Sequence, residues 1–213
     1  MNNFFSMYGT RLLNAVGTHL LYVLASVSIG FVVALVLGVA LSRIPKLGRV
    51  IIPILSVCQT IPGIVFLGIL FLYLGMVAKT VIIALSIYAV FPILKNTYVG
   101  IVEVSQEYKE AAKGCGMSSF QSLCQVELPL ALPSIISGLR MSTIYIVSWS
   151  VLAAMIGLGG LGEFIYSGVN SNNNALILAG AVPAAVMAVS LGALVDLLYK
   201  KLIPEPLRRR DVK

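Results

Sequence analysis

The sequence has little charge. Asp, Glu, Lys and Arg make up 11% of its 213 residues, against 59% hydrophobic residues. A soluble domain carries about 25% charged residues, so the composition excludes a soluble domain. The net charge of +7 does not indicate nucleic-acid binding, because no segment is long enough to fold into a basic soluble domain.

Residues with catalytic or metal-binding chemistry are also scarce. There is no G-x-x-x-x-G-K-[ST] phosphate loop, so we expect no ATP hydrolysis and no cofactor on this chain. The single histidine, His19, belongs to no Ser/His/Asp set, and the chain is predicted not to be an enzyme. Cys58, Cys115 and Cys124 have neither CxxC nor Cys/His ligand spacing, so we predict no disulfide and no metal site.

Acidic residues are missing from the long apolar runs until Asp196, near the end of the last run. Carriers driven by protons or sodium usually keep ionisable groups at mid-membrane. This absence counts against a secondary carrier. That reading stays open as an alternative, as does a membrane scaffold that transports nothing.

The chain consists largely of long apolar runs, and its mean hydropathy is +0.98. Each run reaches the ~18 residues that mark a spanning helix, and lipid favours helices because they satisfy their own backbone groups. We predict an all-α, polytopic membrane protein with one transmembrane domain over residues 1–213. The spans, about five in number, are predicted at 20–41, 51–74, 80–97, 133–156 and 175–199. Pro53, Pro62 and Pro92 predict kinks in the second and third spans.

The basic residues predict the orientation. Of the 15 Lys and Arg residues, 13 fall on one side of the predicted spans, and only Arg11 and Lys79 fall on the other. Loops rich in Lys and Arg stay in the cytoplasm, so we expect the N-terminus outside and the C-terminus in the cytoplasm. The cytoplasmic set is Arg43, Lys46, Arg49, Lys95, Lys109, Lys113, Arg140, Lys200, Lys201, Arg208, Arg209, Arg210 and Lys213.

The cytoplasmic loop before the fourth span is predicted to form two short helices. Ser105 caps the first helix, and Gly114 and Gly116 end it. Ser118 and Gln121 then stand at capping-box spacing for the second helix.

Proline and alanine complete the pattern of this loop. Pro129 is predicted to end the second helix, and Pro133 to begin the fourth span. Ala111 and Ala112 would let another backbone approach closely, and Glu110 could accept a charged hydrogen bond from a partner. The alternative is an amphipathic loop that lies on the membrane surface.

The spacing of seven loop residues resembles the EAA signature of ABC importer permeases. These residues are Glu110, Ala111, Ala112, Gly116, Val126, Leu128 and Pro129. The family pattern has Ile where this chain has Val126. The resemblance implies a type I ABC importer permease fold, in which the loop at about 103–130 forms a coupling helix that docks on a cytoplasmic ATPase.

Three further motifs are similar to the osmoprotectant branch of that family, whose members import glycine betaine, choline, carnitine or proline. They are QTIPG at 59–63, YAVFPILKNTY at 88–98 and GLGGLG at 157–162. The branch often has Ser or Ala where this chain has Gly63. The glycine motif also occurs in amino-acid and phosphonate permeases, so a permease for methionine or another small solute is the alternative.

The resemblance also implies the partners and the location. A second permease subunit, identical or homologous, would complete the pathway in the inner (cytoplasmic) membrane of a bacterium, in contact with lipid. A dimer of ABC ATPases would carry ATP and Mg, and an extracellular binding protein would deliver the solute.

Two sets of residues are candidates along the pathway. Tyr145 and Trp149 share a face of the fourth span and could attract a quaternary ammonium by cation–π contact; packing between helices is the alternative. Gln59 and Thr60 beside a proline, and Tyr88, are weaker candidates. The external gate is predicted at Gly157, Gly159, Gly160 and Gly162, against the alternative of a plain interhelical turn.

Overall fold

The computed structural model describes residues 2–202, with side chains except at residues 2–5, 58, 155, 156 and 202. Within that range it has nine α-helices. They are α1 Asn2–Arg43, α2 Pro45–Cys58, α3 Gly63–Leu74, α4 Ala78–Val102, α5 Gln106–Gly114, α6 Ser119–Ser122, α7 Leu128–Ser150, α8 Gly162–Asn170 and α9 Asn174–Leu202. A π-helical turn, Leu123–Glu127, joins α6 to α7, and a 3-10 helix, Val151–Ile156, follows α7. Arg208, Arg209, Arg210 and Lys213, which were counted toward the cytoplasmic side, lie outside the described residues.

Four uninterrupted helical stretches are long and apolar enough to cross a membrane among the residues described. They are Ser6–Arg43, Ala78–Val102, Ser119–Ala154 and Asn174–Lys201. The prediction of an all-α membrane protein is confirmed. That residues 1–213 form a single domain stays a prediction.

The second predicted span, 51–74, is not one helix. It is divided between α2, of 14 residues, and α3, of 12 residues. At a rise of 1.5 Å per residue, α3 extends about 18 Å, which is shorter than a hydrocarbon core of about 30 Å. The break falls before Pro62, because proline has no N–H to donate and holds the preceding residue out of the helical region.

The core is built by α4, which packs against α1 on one side and α7 on the other. Gly30 of α1 lies so close to α4 that a Cβ added there would be 2.6 Å from the Cβ of Ala89. Such small residues let helix backbones approach each other in membranes. Serine hydroxyls strengthen both contacts: Ser26 Oγ donates to Ile82 O at 3.2 Å, and Ser142 Oγ donates to Ala89 O at 3.0 Å.

The outer surface of the bundle is apolar. Leu72 is 84% exposed and Val189 is 72% exposed, which suits contact with lipid or with another membrane subunit. An ion pair between α7 and α9 joins Arg140 Nε to Asp196 Oδ1 at 3.0 Å. Pairing is how charged residues within spanning helices are usually accommodated.

The close approach at Gly30 generates a stability prediction. Gly30→Val should lower the thermal unfolding temperature in detergent, because overpacking a helix contact costs about 1–3 kcal/mol. Gly17→Val is the matched control, since Gly17 is on the same helix and a Cβ there meets nothing within 4 Å. Equal unfolding temperatures for the two variants would contradict the packing described here.

Candidate functional site

The loop at 103–130 has the local structure that its caps predict. Ser105 Oγ accepts a hydrogen bond from the N–H of Glu107 at 3.4 Å. Ser118 and Gln121 form both bonds of a capping box, at 2.8 and 3.3 Å. Gly116 has a φ of +76°, a conformation that glycine adopts without strain. The turn between α5 and α6 is therefore fixed by residues within the loop, namely the two serine caps and Gly116.

The EAA residues do not all face the same way. Glu110, Ala111 and Gly116 are exposed, but Ala112 is buried at 4% exposure. The Glu110 carboxylate accepts a hydrogen bond from Gln106 Nε2 at 3.2 Å. Glu110 and Ala111 are thus available to a partner, whereas Ala112 seats α5 on its own chain.

The helix after the loop corrects the prediction for Pro129 and Pro133. The chain stays helical from α6 through the π-helical turn into α7, where Leu128 N donates to Leu123 O. Pro129 lies in the first turn of α7, where proline is tolerated, and Pro133 lies inside α7 instead of starting a span. Val126, Leu128 and Pro129 are half-buried in this connection.

Phe120 is an exposed aromatic residue of this loop. It lies on α6 and is 73% exposed. Its spacing with Leu123, Cys124 and Leu128 is that of an apolar stripe on one helix face, yet its ring is exposed. An exposed aromatic ring on α6 adds apolar area that a partner of the loop could contact.

A cavity of about 150 Å³ lies beside the break between α2 and α3. Four of the five predicted pathway residues line it together with Ile146, namely Gln59, Tyr88, Tyr145 and Trp149. The fifth, Thr60, is exposed and donates its hydroxyl to Val57 O at 2.7 Å. A second cavity of about 390 Å³ also has Gln59 and Tyr88 in its wall.

Aromatic contacts shape the wall of the smaller cavity. Tyr88 stacks on Trp149 with a centroid distance of 4.4 Å, and Phe66 meets Tyr88 edge-on at 5.3 Å. The Tyr88 hydroxyl donates to Ile61 O at 2.9 Å, which satisfies a carbonyl in the helix break. Phe66 was missed in the sequence because it sits in a uniformly apolar run.

Gly63 accounts for the fit of Trp149. A Cβ added at Gly63 would overlap the six-membered part of the indole ring. The residue at which this chain departs from the osmoprotectant pattern is therefore the one that makes room for Trp149.

The glycine-rich loop at 157–162 is held against α1. Gly157, Gly159 and Gly160 all have positive φ. The hydroxyl of Tyr22 donates to Leu158 O at 2.8 Å, and His19, which is fully buried, places Nε2 3.0 Å from Val147 O.

The start of α8, which follows this loop, is also held by contacts with neighbouring elements. Gly162 begins α8 in close contact with Ala154, Glu163 forms an ion pair with Arg11, and Tyr8 meets Phe164 edge-on at 6.3 Å. The loop is anchored on one helix, α1, at several points. Its role as an external gate stays a prediction.

Three features together define a class of protein, the polytopic membrane transport subunit. They are the apolar spanning helices, the cavity beside a helix break, and the polar helix pair between two spans. Residues 17–206 match the family described as "Binding-protein-dependent transport system inner membrane component". The chain belongs to this family, as the EAA signature predicts.

Named relatives cover nearly the whole chain. The carnitine transport permease protein OpuCB of Listeria monocytogenes is 38% identical, over 96% of this chain and 94% of its own. The glycine betaine/carnitine/choline transport system permease protein OpuCB of Bacillus subtilis (strain 168) is 38% identical, over 98% and 96%. The choline transport system permease protein OpuBB of the same organism is 39% identical, over 97% and 95%.

A solved structure shows the same fold. A chain of the MetNI methionine ABC transporter, in an inward-facing conformation, superposes with a TM-score of 0.82 at 22% identity, covering 92% of this chain and 98% of that one. The predicted type I importer permease fold is confirmed. The chain is a multi-pass permease subunit of an ABC importer and not an enzyme, and such a subunit works with an ATPase and a substrate-binding protein.

Trp149 is the only tryptophan of the chain, so its fluorescence reports on the cavity. Gly63→Ala should shift the emission maximum and raise quenching by acrylamide, because the new methyl group displaces the indole ring from Tyr88. Gly68→Ala is the control, as Gly68 is on the same helix with nothing within 4 Å of a Cβ. An unchanged Gly63→Ala spectrum would contradict the Gly63–Trp149 contact.

Proposed function

We propose that this chain is a transmembrane subunit of an ATP-driven importer for a compatible solute with a quaternary ammonium group, such as glycine betaine, choline or carnitine. Proline, the fourth solute of the predicted set, has a secondary ammonium and falls outside this class. The observation that carries the cargo class is the aromatic cavity at the helix break. The names of the relatives point in the same direction.

The chemistry of the cavity suits a weakly bound cation. Its lining offers the rings of Tyr88, Tyr145 and Trp149 and the amide of Gln59, with no charged side chain among the lining residues. Cation–π contacts contribute about 0.5–2 kcal/mol each. Because Trp149 is already stacked on Tyr88, the cargo would rely on Tyr145, which is 49% exposed. Weak contact is appropriate, since a transport pathway must release its cargo.

The driving force enters at the cytoplasmic loop. Glu110, Ala111 and Gly116, with Phe120 beside them, form the surface that docks on the ATPase, and ATP and Mg are bound by that partner. ATP binding would bring two ATPase subunits together and turn the cargo site outward, and hydrolysis would reset it inward. Because the buried Ala112 packs α5 against its own chain, the loop would move together with the bundle.

The assembled importer needs a second permease subunit, because one chain does not enclose the pathway. Four uninterrupted spans and a divided one are too few to enclose a pathway, so a second permease subunit, identical or homologous, faces the cavity. The N-terminus lies outside and the C-terminus in the cytoplasm, since the basic residues follow the positive-inside rule. The extracellular binding protein delivers the solute to the side that carries the glycine-rich loop at 157–162.

The docking role predicts how uptake responds to a change at Gly116. Gly116→Val should abolish ATP-dependent uptake in proteoliposomes, because a branched residue resists a φ of +76° by roughly 1–2 kcal/mol and the α5–α6 turn is displaced. Gly114→Ala, in the helical part of the same loop with nothing within 4 Å of its Cβ, should retain uptake. Normal uptake by a correctly inserted Gly116→Val variant would contradict the docking role.

The cavity predicts a change in apparent affinity for the cargo. Tyr145→Ala should raise the half-saturation concentration for glycine betaine uptake by about 2- to 30-fold, which corresponds to losing one cation–π contact. Tyr145→Phe keeps the ring and should stay close to the parent protein. Tyr73→Ala removes a ring that is 82% exposed and outside the cavity lining, and it serves as the control. The same shift in Tyr73→Ala and Tyr145→Ala would rule against this cargo site.

A further inference from the structure

An ion pair between Arg43, which is 39% exposed, and the buried Glu127 joins the first helix to the C-terminal part of the cytoplasmic loop. Arg43, the last residue of α1, donates from Nη1 to Glu127 Oε1 at 3.1 Å and from Nη2 to Oε2 at 2.9 Å. Ser122 Oγ adds a third bond to Glu127 Oε1 at 3.3 Å. Arg43 and Glu127 are 84 positions apart in the chain, so this contact is made only by the folded protein.

The carboxylate in this pair depends on its partner. Glu127 is only 4% exposed, and a buried charge is stable only when it is paired and hydrogen-bonded. The two parallel bonds from one guanidinium also fix the relative orientation of the two groups, which a lysine cannot do. The end of α1 is therefore held to Glu127 in one geometry.

Glu127 occupies an unusual place in the backbone. It is the last residue of the π-helical turn Leu123–Glu127, which links α6 to α7. Single π-helical turns inside α-helices are uncommon and are frequent at functional sites. Because α6, this turn and α7 are continuous, a displacement of α6 would reach Glu127 through helical backbone.

The far end of α1 meets the other candidate site. The helix has 42 residues, about 63 Å at 1.5 Å per residue. Its outer half contacts the glycine-rich loop at 157–162 through Tyr22, the end of α7 through His19, and α8 through the ion pair from Arg11 to Glu163. One rigid helix thus connects Glu127 in the cytoplasm with the predicted external gate.

We propose that Arg43 and Glu127 are positioning residues that transmit the movement of the cytoplasmic loop to α1, and through α1 to the glycine-rich loop on the outside. This inference rests on the proposed function, because it requires an ATPase that moves the loop. The pair touches neither cargo nor nucleotide. Its loss should separate ATP hydrolysis from transport, and a pair that only stabilises the fold would lower both together.

The test measures ATP hydrolysis and glycine betaine uptake in the same proteoliposomes, which hold this permease, its second permease subunit, the ATPase and the binding protein. Arg43→Gln and Glu127→Gln should each lower the solute taken up per ATP by about tenfold, within the range of measured coupling between sites. The rate of ATP hydrolysis should change by no more than about twofold relative to the parent complex, a smaller factor than those of measured coupling between sites.

Three further variants separate transmission from stability. The exchange Arg43→Glu with Glu127→Arg should recover part of the uptake per ATP that either single change loses. Arg43→Lys retains the charge without the paired bonds and should give an intermediate value. Arg49→Gln removes an exposed basic residue on α2 and should match the parent complex.

Each outcome decides the question. A parallel fall in hydrolysis and uptake, or no change in uptake per ATP, would overturn the proposal. If the glutamine variants fail to assemble, Arg43→Lys decides alone, and an uptake per ATP equal to the parent value would overturn the proposal. No ATP-driven uptake by the parent complex itself would instead count against the proposed function, which keeps the two failures distinct.

Discussion

The constraint that organises this protein is that every backbone polar group within lipid must be satisfied by the protein itself. Where the helix stops before Pro62, carbonyl groups lose their helical partners. Tyr88 satisfies one of these carbonyl groups by donating its hydroxyl to Ile61 O, and the same tyrosine stacks on Trp149. The bond that makes the break tolerable therefore also builds the cavity wall, so the break and the candidate cargo site are one feature.

The two ends of the molecule are connected by elements that are rigid for separate physical reasons. In the loop at 103–130, the caps at Ser105 and Ser118 fix two short helices joined by a turn, and the second helix continues into α7 through the π-helical turn. At the other end, a loop with three positive-φ glycines is fixed by its contacts with α1. An importer needs this combination, because a movement made in the cytoplasm must change access on the far side.

Sequence reasoning succeeded where the signal is local. The helix caps depend on residues two or three positions apart, the spans depend on the length of an apolar run, and the EAA spacing identified the family. It failed at helix ends that depend on a single proline and at contacts between residues distant in the chain. The interruption at 59–62 lies within an apolar run that hydropathy treats as continuous, and Pro129 was expected to end a helix that the π-helical turn carries onward. The contact of Gly63 with Trp149 and the pairing of Arg43 with Glu127 leave no trace in sequence spacing.

The central claim is that this permease couples ATP to the import of a quaternary ammonium solute. The most direct test is uptake of radiolabelled glycine betaine and choline into proteoliposomes that hold this permease, its second permease subunit and the ATPase, with binding protein outside. Accumulation of at least one of the two solutes with ATP inside, and none without ATP, is the predicted result. Equal accumulation with and without ATP, or ATP hydrolysis with no uptake of either solute, would contradict the account.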